Sequence, residues 1–218
     1  MTARTIPATK KTGRPRSRRT AEAILRAARE LLAESGPAAI TIEGVAARAG
    51  VGKASIYRRW PSRGLLAMDA TLDVYLAGQP ATDAGSLEGD LVATARGWIR
   101  SVKRSPTGPA LRFLVGEVQS DAALAEAWRD RFVRPVRNQR LPIVERAIAR
   151  GEIPARSDPD LILDLLFGAL YHRYLHGHLP LNDRFAVGVA AMTAAAAAAG
   201  AAVPPASRLT ATTGSGTL

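Results

Sequence analysis

The sequence predicts an all-α chain: a small N-terminal three-helix unit built around a helix-turn-helix, then a larger helical body. Three observations point there. Apolar residues recur at helical spacing through nearly every segment, and none shows convincing strand alternation. Alanine is abundant while aromatics make up only 5%, a mix that suits closely packed helices because alanine loses no side-chain entropy. Charge is segregated: the net charge is +11, and residues 1–66 hold 14 Lys/Arg against 4 Asp/Glu. A basic segment on a near-neutral body is the footprint of a polyanion-binding module on a separate scaffold.

Composition excludes several classes. Hydrophobic residues make up 47% of 218, enough to build a core, so the chain is not a disordered one. There is no cysteine, which removes disulfides and thiolate metal sites and agrees with a reducing cytoplasm, the location expected. The most apolar stretch, 185–203, is mostly alanine and is interrupted by Gly188, Thr193 and Gly200, so no membrane span or membrane partner is expected. The basic N-terminus has no apolar run behind it and does not read as a signal peptide.

In chain order, residues 1–19 carry seven basic residues and no acid and read as a flexible arm. Arg16, in the string TGRPR, is placed as a minor-groove contact. Thr20 reads as the N-cap of a first helix, with Ile24, Ala28, Leu31 and Leu32 in phase. Gly36 and Pro37 stop it. A short helix follows Thr41, with Val45, Ala46 and Ala49 on one face, and Gly50 breaks it. Another runs from Lys53 to Arg59, and Pro61 and Ser62 open a fourth. Residues 20–66 form the first domain and 67–202 the second. Within the second, helices are expected at 87–103, 109–119, 121–150 (kinked at Pro135 and Pro142), 159–176 and 182–200. The tail, 203–218, reads as frayed.

The informative stretch is TIEGVAARAGVGKASIYRRWPSRGLL, residues 41–66. Two helices too short to stand alone meet at a tight turn, the helix-turn-helix pattern. Val45, Ala49, Val51 and Ile56 form its small core. Gly50 can take the left-handed conformation the turn needs. The second helix then presents Lys53, Ala54, Ser55, Tyr57 and Arg58 outward. Ser55 suits a base edge or phosphate and Ala54 a thymine methyl, while Lys53, Tyr57 and Arg63 suit phosphates.

This segment resembles the DNA-binding domain of the tetracycline-repressor (TetR) family. The run AARAGVGKASIYRRWPSRGLL carries that family's Ala-Gly-Val turn, a tyrosine in the recognition helix, an aromatic before a short linker, then a basic residue and leucine. The resemblance implies DNA contacts by Lys53, Ser55, Tyr57, Arg58 and Arg63, with Thr41 on a phosphate. Four positions depart from the pattern. Gly52 replaces a hydroxyl cap, Gly44 and Gly64 stand where helix formers are common, and Trp60 stands where phenylalanine is commoner.

The run ARGEIPARSDPDLILDLLFGALYHRYLHGHLPL is similar to the regulatory domain of one large branch of the same family, which pairs an Arg-Gly-Glu turn with the penultimate helix. That resemblance implies dimerisation by the last two helices. Independently, Leu161, Leu165, Leu166, Phe167, Leu170 and Tyr174 cover more than one helix face and must be buried on several sides. Leu166, Leu170, Arg173 and Val189 are placed at the dimer interface. Trp98, Phe113, Glu117, Trp128, Phe167, Tyr171 and Tyr174 are placed around a ligand cavity. The basic run 129–140 reads as solvated.

His172 and His176 fall one helical turn apart, with Asp164 two turns earlier, a spacing a metal can use. No glutamate follows His172, so the zinc-protease pattern is missing. Polar residues at an interface or pocket wall are expected instead, with no metal and no cofactor. No phosphate-binding loop, dinucleotide fingerprint or nucleophile elbow is present, so no enzyme is expected. The expected function is a ligand-responsive homodimeric repressor on a near-palindromic double-stranded operator, with an unidentified small-molecule effector. A sequence-tolerant DNA-packaging protein shares the charge evidence and stays open.

Overall fold

The computed structural model describes residues 14–77, 83–104 and 106–200, which are helices and short connections throughout. Helix α1 (Arg14–Ser35) packs across α2 (Ile42–Ala49) and α4 (Arg63–Ala77), with the five-residue α3 (Lys53–Tyr57) completing the helix-turn-helix. Helix α1 starts six residues before the expected Thr20, so part of the expected arm is helical. Arginine is a good helix former, Pro15 sits in the first turn where its missing N–H costs nothing, and Arg18 pairs with Glu22 one turn on (3.0 Å). The remainder of the expected arm, residues 1–13, and the tail, 203–218, lie outside the described residues.

Local chemistry sets the first domain. The Thr41 hydroxyl accepts the Gly44 amide (3.0 Å) and starts α2. Gly50 ends it at φ 65°, a left-handed conformation that costs any residue with a Cβ. Ile24, Ala28, Ile40, Val45, Ile56 and Leu66 are fully buried together. Arg48 clamps α2 to α1 through two bonds to Glu34 (2.8 and 2.7 Å).

In the second domain, α5 (Leu87–Lys103) is central, packed against α6 (Thr107–Glu117), α9 (Leu141–Ala149), α10 (Pro159–His176) and α11 (Asp183–Ala198). Its N-terminus is capped twice. Ser86 accepts the Gly89 amide (3.1 Å). Glu152, of the Arg-Gly-Glu turn, accepts the Leu87 amide across the fold (2.7 Å). That turn is therefore a remote helix cap. Asp90, fully buried, accepts from the Ala84 amide (2.7 Å) and from Arg146 (3.0 Å).

The expected long helix at 121–150 runs without a gap to Asn138, with a wider turn inside it, and is interrupted at 139–140. After α7 (Ala122–Trp128) comes a π-helical turn (Arg129–Val133), then α8 (Arg134–Asn138), then α9. Pro135 has no N–H and cannot close the usual bond to Arg131. The turn before it widens, and the Arg134 amide reaches back to the Arg129 carbonyl. Pro142 sits in the first turn of α9.

Candidate functional site

The recognition-type helix α3 turns one side chain inward and the others out. Ile56 is fully buried, Tyr57 is 47% exposed, and Lys53, Ala54 and Arg58 are exposed, with Ser55 half-buried. Lys53 donates to Glu43 (3.1 Å), which draws the first turns of α2 and α3 together. That bond holds the Glu43 carboxyl below its ordinary range. Thr41 is occupied as a cap through its oxygen. Arg63 donates to Glu117 (3.3 Å) and stacks over Phe113 (4.8 Å). Arg16 lies in the first turn of α1, and its side chain lies outside the described residues.

Two of the departures noted in the motif gain a reason. A Cβ at Gly64 would sit 2.5 Å from a Leu124 methyl, so the glycine admits α7 onto the start of α4. Trp60 is buried, and its indole N–H donates to Asp69 (2.9 Å), a bond phenylalanine could not make. Asp69 also accepts from Arg131 (2.9 and 3.0 Å). One carboxylate thus joins the end of the helix-turn-helix to the π-helical turn of the second domain. Nothing in the local sequence around Asp69 marks it, because its partners lie 9 and 62 residues away.

Beside that turn lies a cavity of about 590 Å³, bounded by α4, α6, the α7–α8 segment and α10. Its aromatic walls are Tyr75, Trp128, Phe132, Phe167 and Tyr171. Trp128 and Phe132 stack at 4.1 Å and 13°, and Phe132 meets Tyr75 at 4.9 Å. Burial pushes the Tyr75 hydroxyl up to about 12 and the Tyr171 hydroxyl up as well. Both stay protonated at neutral pH.

Of the aromatic residues expected around a cavity, Trp128, Phe167 and Tyr171 line this one. Trp98 is buried behind it, 5.2 Å from Tyr171 and 5.5 Å from Tyr174. Tyr174 is tied to α6, donating to the Gly108 carbonyl while Arg112 donates to its own carbonyl (2.8 Å). Phe113 and Glu117 face Arg63 instead. Tyr75 and Phe132, not singled out in the sequence, complete the walls.

The basic run 129–140 is not simply solvated. Arg131 holds Asp69. Arg137 donates to Asp160 (2.6 and 2.9 Å) and Asp164 (2.6 Å) on α10. Burial works against its charge, but those bonds raise its pKa further. Arg140 is buried, donates to the Val136 carbonyl (2.8 Å) and lies over the Phe167 ring (5.4 Å). Burial lowers its pKa, with Tyr75 and Tyr171 acting in the other direction. The helical spacing of these arginines was legible, but their acidic partners on other elements were not.

Leu166 and Leu170, expected at a dimer face, are fully buried in the protomer's own core. The outward face of α10 and α11 carries Leu165 (47% exposed), Val189 and Met192 (76% exposed) around a groove of about 710 Å³. Arg173 is at its edge, stacked on Phe185 (3.6 Å) and donating to the Pro180 carbonyl (3.2 Å). His172 lies 4.6 Å from His176 and 5.1 Å from His178, ring to ring. Among the described residues, no group of three or more His, Asp or Glu side chains is arranged to hold a metal ion. Among them too, no helix is long and apolar enough to cross a membrane.

Both halves of the chain match known protein families. Residues 24–67 match the model "Bacterial regulatory proteins, tetR family", and residues 81–206 match "Tetracyclin repressor-like, C-terminal domain". The chain is 37% identical to the uncharacterised HTH-type transcriptional regulator YdeS of Bacillus subtilis, over 80% of this chain and 88% of that one. It is 32% identical to the DNA-binding transcriptional repressor TetR of Mycobacteroides abscessus, over 75% and 85%. Among solved structures, the TetR family regulator SCO0332 superposes with a TM-score of 0.72 at 32% identity, covering 81% of this chain and 97% of its own.

Proposed function

The chain belongs to the TetR family of transcriptional regulators, and on that footing we propose a homodimeric repressor that a small molecule releases from a near-palindromic operator. The observation that carries this reading is the Arg131–Asp69–Trp60 connection. It ties the π-helical turn, whose Arg129, Phe132 and Val133 line the aromatic cavity, to the end of the helix-turn-helix.

Each protomer offers one α3 to the major groove. Arg58 and Tyr57 stand free to reach bases and phosphates, and Ala54 permits close approach. A two-fold dimer places the two helices about 34 Å apart, one turn of DNA. The outward face of α10 and α11, with Leu165, Val189 and Met192, supplies the apolar surface for a four-helix interface. The repressor sense is taken from the Mycobacteroides relative.

A ligand entering the cavity presses on Trp128 and Phe132. Trp128 precedes the π-helical turn, and Phe132 lies within it, next to Arg131. Movement there passes through Asp69 to Trp60, behind α3. Arg63 adds a second coupling, because a phosphate would compete with Glu117 for its guanidinium. The ligand's leverage equals its differential affinity for the two states, typically about 1–3 kcal/mol.

The test is a fluorescence-anisotropy titration at fixed salt, with a palindrome from the neighbouring promoter and random DNA as competitor. The expected result is a preference of at least about a thousandfold for the palindrome, lost by at least tenfold in Arg58→Ala. Equal affinities would point to DNA packaging and sink the repressor reading. Met192→Arg, checked by analytical ultracentrifugation, is expected to convert dimer to monomer.

A further inference from the structure

The cavity's walls say more about its occupant than size alone. Its volume of about 590 Å³ falls within the range of small-molecule sites, roughly 300–1,000 Å³. Three features then narrow the chemistry.

The first is shape. Trp128 and Phe132 lie nearly parallel, Phe132 leans on Tyr75, and Phe167 and Tyr171 come from α10. Five rings bounding one space favour a partner that offers planar faces and edges, since aromatic pairs gain from offset stacking and edge contacts beyond simple burial. A flexible aliphatic chain gains burial only and loses more rotational freedom.

The second is charge. Two ionic side chains of the lining, Arg137 and Asp164, are paired with each other, and the buried Arg140 behind Phe167 donates to the Val136 carbonyl. Arg137 is held by Asp160 and Asp164. An ionic ligand would have to break that group or leave its own charge unpaired in an apolar space, and both are costly. Arg129 also lines the cavity but is exposed, where water and salt screen it. The buried tyrosines remain protonated, so the walls carry no phenolate to draw in a cation.

The third is polar guidance without charge. Gln119 lines the exposed rim of the same space and donates one amide N–H to the Val115 carbonyl (3.2 Å), which leaves its second N–H and its amide oxygen for a ligand. It can orient a single hydroxyl or carbonyl on an otherwise apolar ligand.

We infer that this cavity takes a flat, uncharged fused-ring compound bearing one hydroxyl or carbonyl group. The inference deepens the effector reading above and rests on it for its regulatory meaning, though not for binding itself.

The test uses the full chain and four probes of matched size: 2-naphthol (neutral and flat), 2-naphthoate (anionic), naphthalen-2-ylmethylamine (cationic) and 1-decanol (neutral and flexible). Binding is followed by tryptophan fluorescence and calorimetry. 2-Naphthol is expected to bind at least tenfold tighter than each of the others. Gly168 lines the cavity, and a Cβ there would meet nothing within 4 Å. Gly168→Leu starts its side chain in open space at the cavity wall, and is expected to weaken 2-naphthol at least tenfold while melting no lower than the parent. Equal or tighter binding of any other probe, no binding of 2-naphthol, or unchanged affinity in Gly168→Leu would overturn the inference. If 2-naphthol binds as expected but leaves operator DNA bound, the ligand class stands and the effector reading fails.

Discussion

Asp69 offers the sharpest test of how the two domains communicate. It is mostly buried, and it accepts from Trp60 at 2.9 Å and from Arg131 at 2.9 and 3.0 Å. Asp69→Ala removes both bonds. The Trp60 indole N–H, in a residue only 4% exposed, is left without an acceptor, at a cost of about 1–3 kcal/mol. The Arg131 pair adds about 0.5–1 kcal/mol, discounted because Arg131 is roughly half exposed. Better helix propensity at an alanine returns about 0.5 kcal/mol. The net loss is about 2 kcal/mol. Asp69→Asn keeps an acceptor for Trp60 and loses only the charge, about 0.5–1 kcal/mol. Urea denaturation at one protein concentration measures both, and a double-mutant cycle of Asp69→Asn with Arg131→Gln isolates the pair. The order expected is Ala worse than Asn, with a coupling energy of about 0.5–1 kcal/mol. Equal losses for Ala and Asn would mean the Trp60 bond contributes nothing. Zero coupling in the cycle would remove Arg131 from the connection. On the proposed mechanism, Asp69→Ala also weakens operator binding, by about fivefold for each 1 kcal/mol of lost positioning.

Three further outcomes are expected. Gly50→Ala forces a Cβ into φ 65° and should cost about 1–2 kcal/mol in thermal or urea unfolding; a neutral result would mean the turn relaxes. Gly168→Ala, mid-helix with open space around it, should stabilise by about 0.5–1 kcal/mol in the same assay. Acid should destabilise the fold. Glu34, Glu152 and Asp183 have carboxyls held below their ordinary range by bonds to Arg48, the Leu87 amide and Arg96 respectively. Their contribution is complete above the unfolded values near 4 and is lost as pH falls through the lower folded ones. Unfolding midpoints followed from pH 5 to 3 should drop less in a Glu34→Gln, Glu152→Gln variant than in the parent, and an identical drop would assign the acid sensitivity elsewhere.

Much of the architecture is encoded locally. Ser86, Asp121, Asp158 and Asn182 all cap the helices that follow them. Gly50 and Gly177 end helices in the left-handed conformation. Each of these depends on a few neighbouring residues, so chain order suffices. Helix α1 begins ahead of the cap-like Thr20 because the arginines before it are good helix formers. A kink at Pro135 is legible in the sequence, but the widening of the turn before it is not, nor the continuation of helix to Asn138.

What the sequence determined by itself is therefore the helices, their stops, and the recognition-type turn at 41–66 with its outward basic and aromatic residues. What only the tertiary structure decided is which apolar residues face inward and which acids meet which arginines. Leu165 and Leu166 are neighbours of the same type, yet one is 47% exposed and the other fully buried. On a helix apolar around most of its surface, periodicity does not choose between faces. Asp69, Trp60 and Arg131 are brought together by packing across the chain. Burial and long-range pairing depend on how elements stack, and that information is spread over the whole chain.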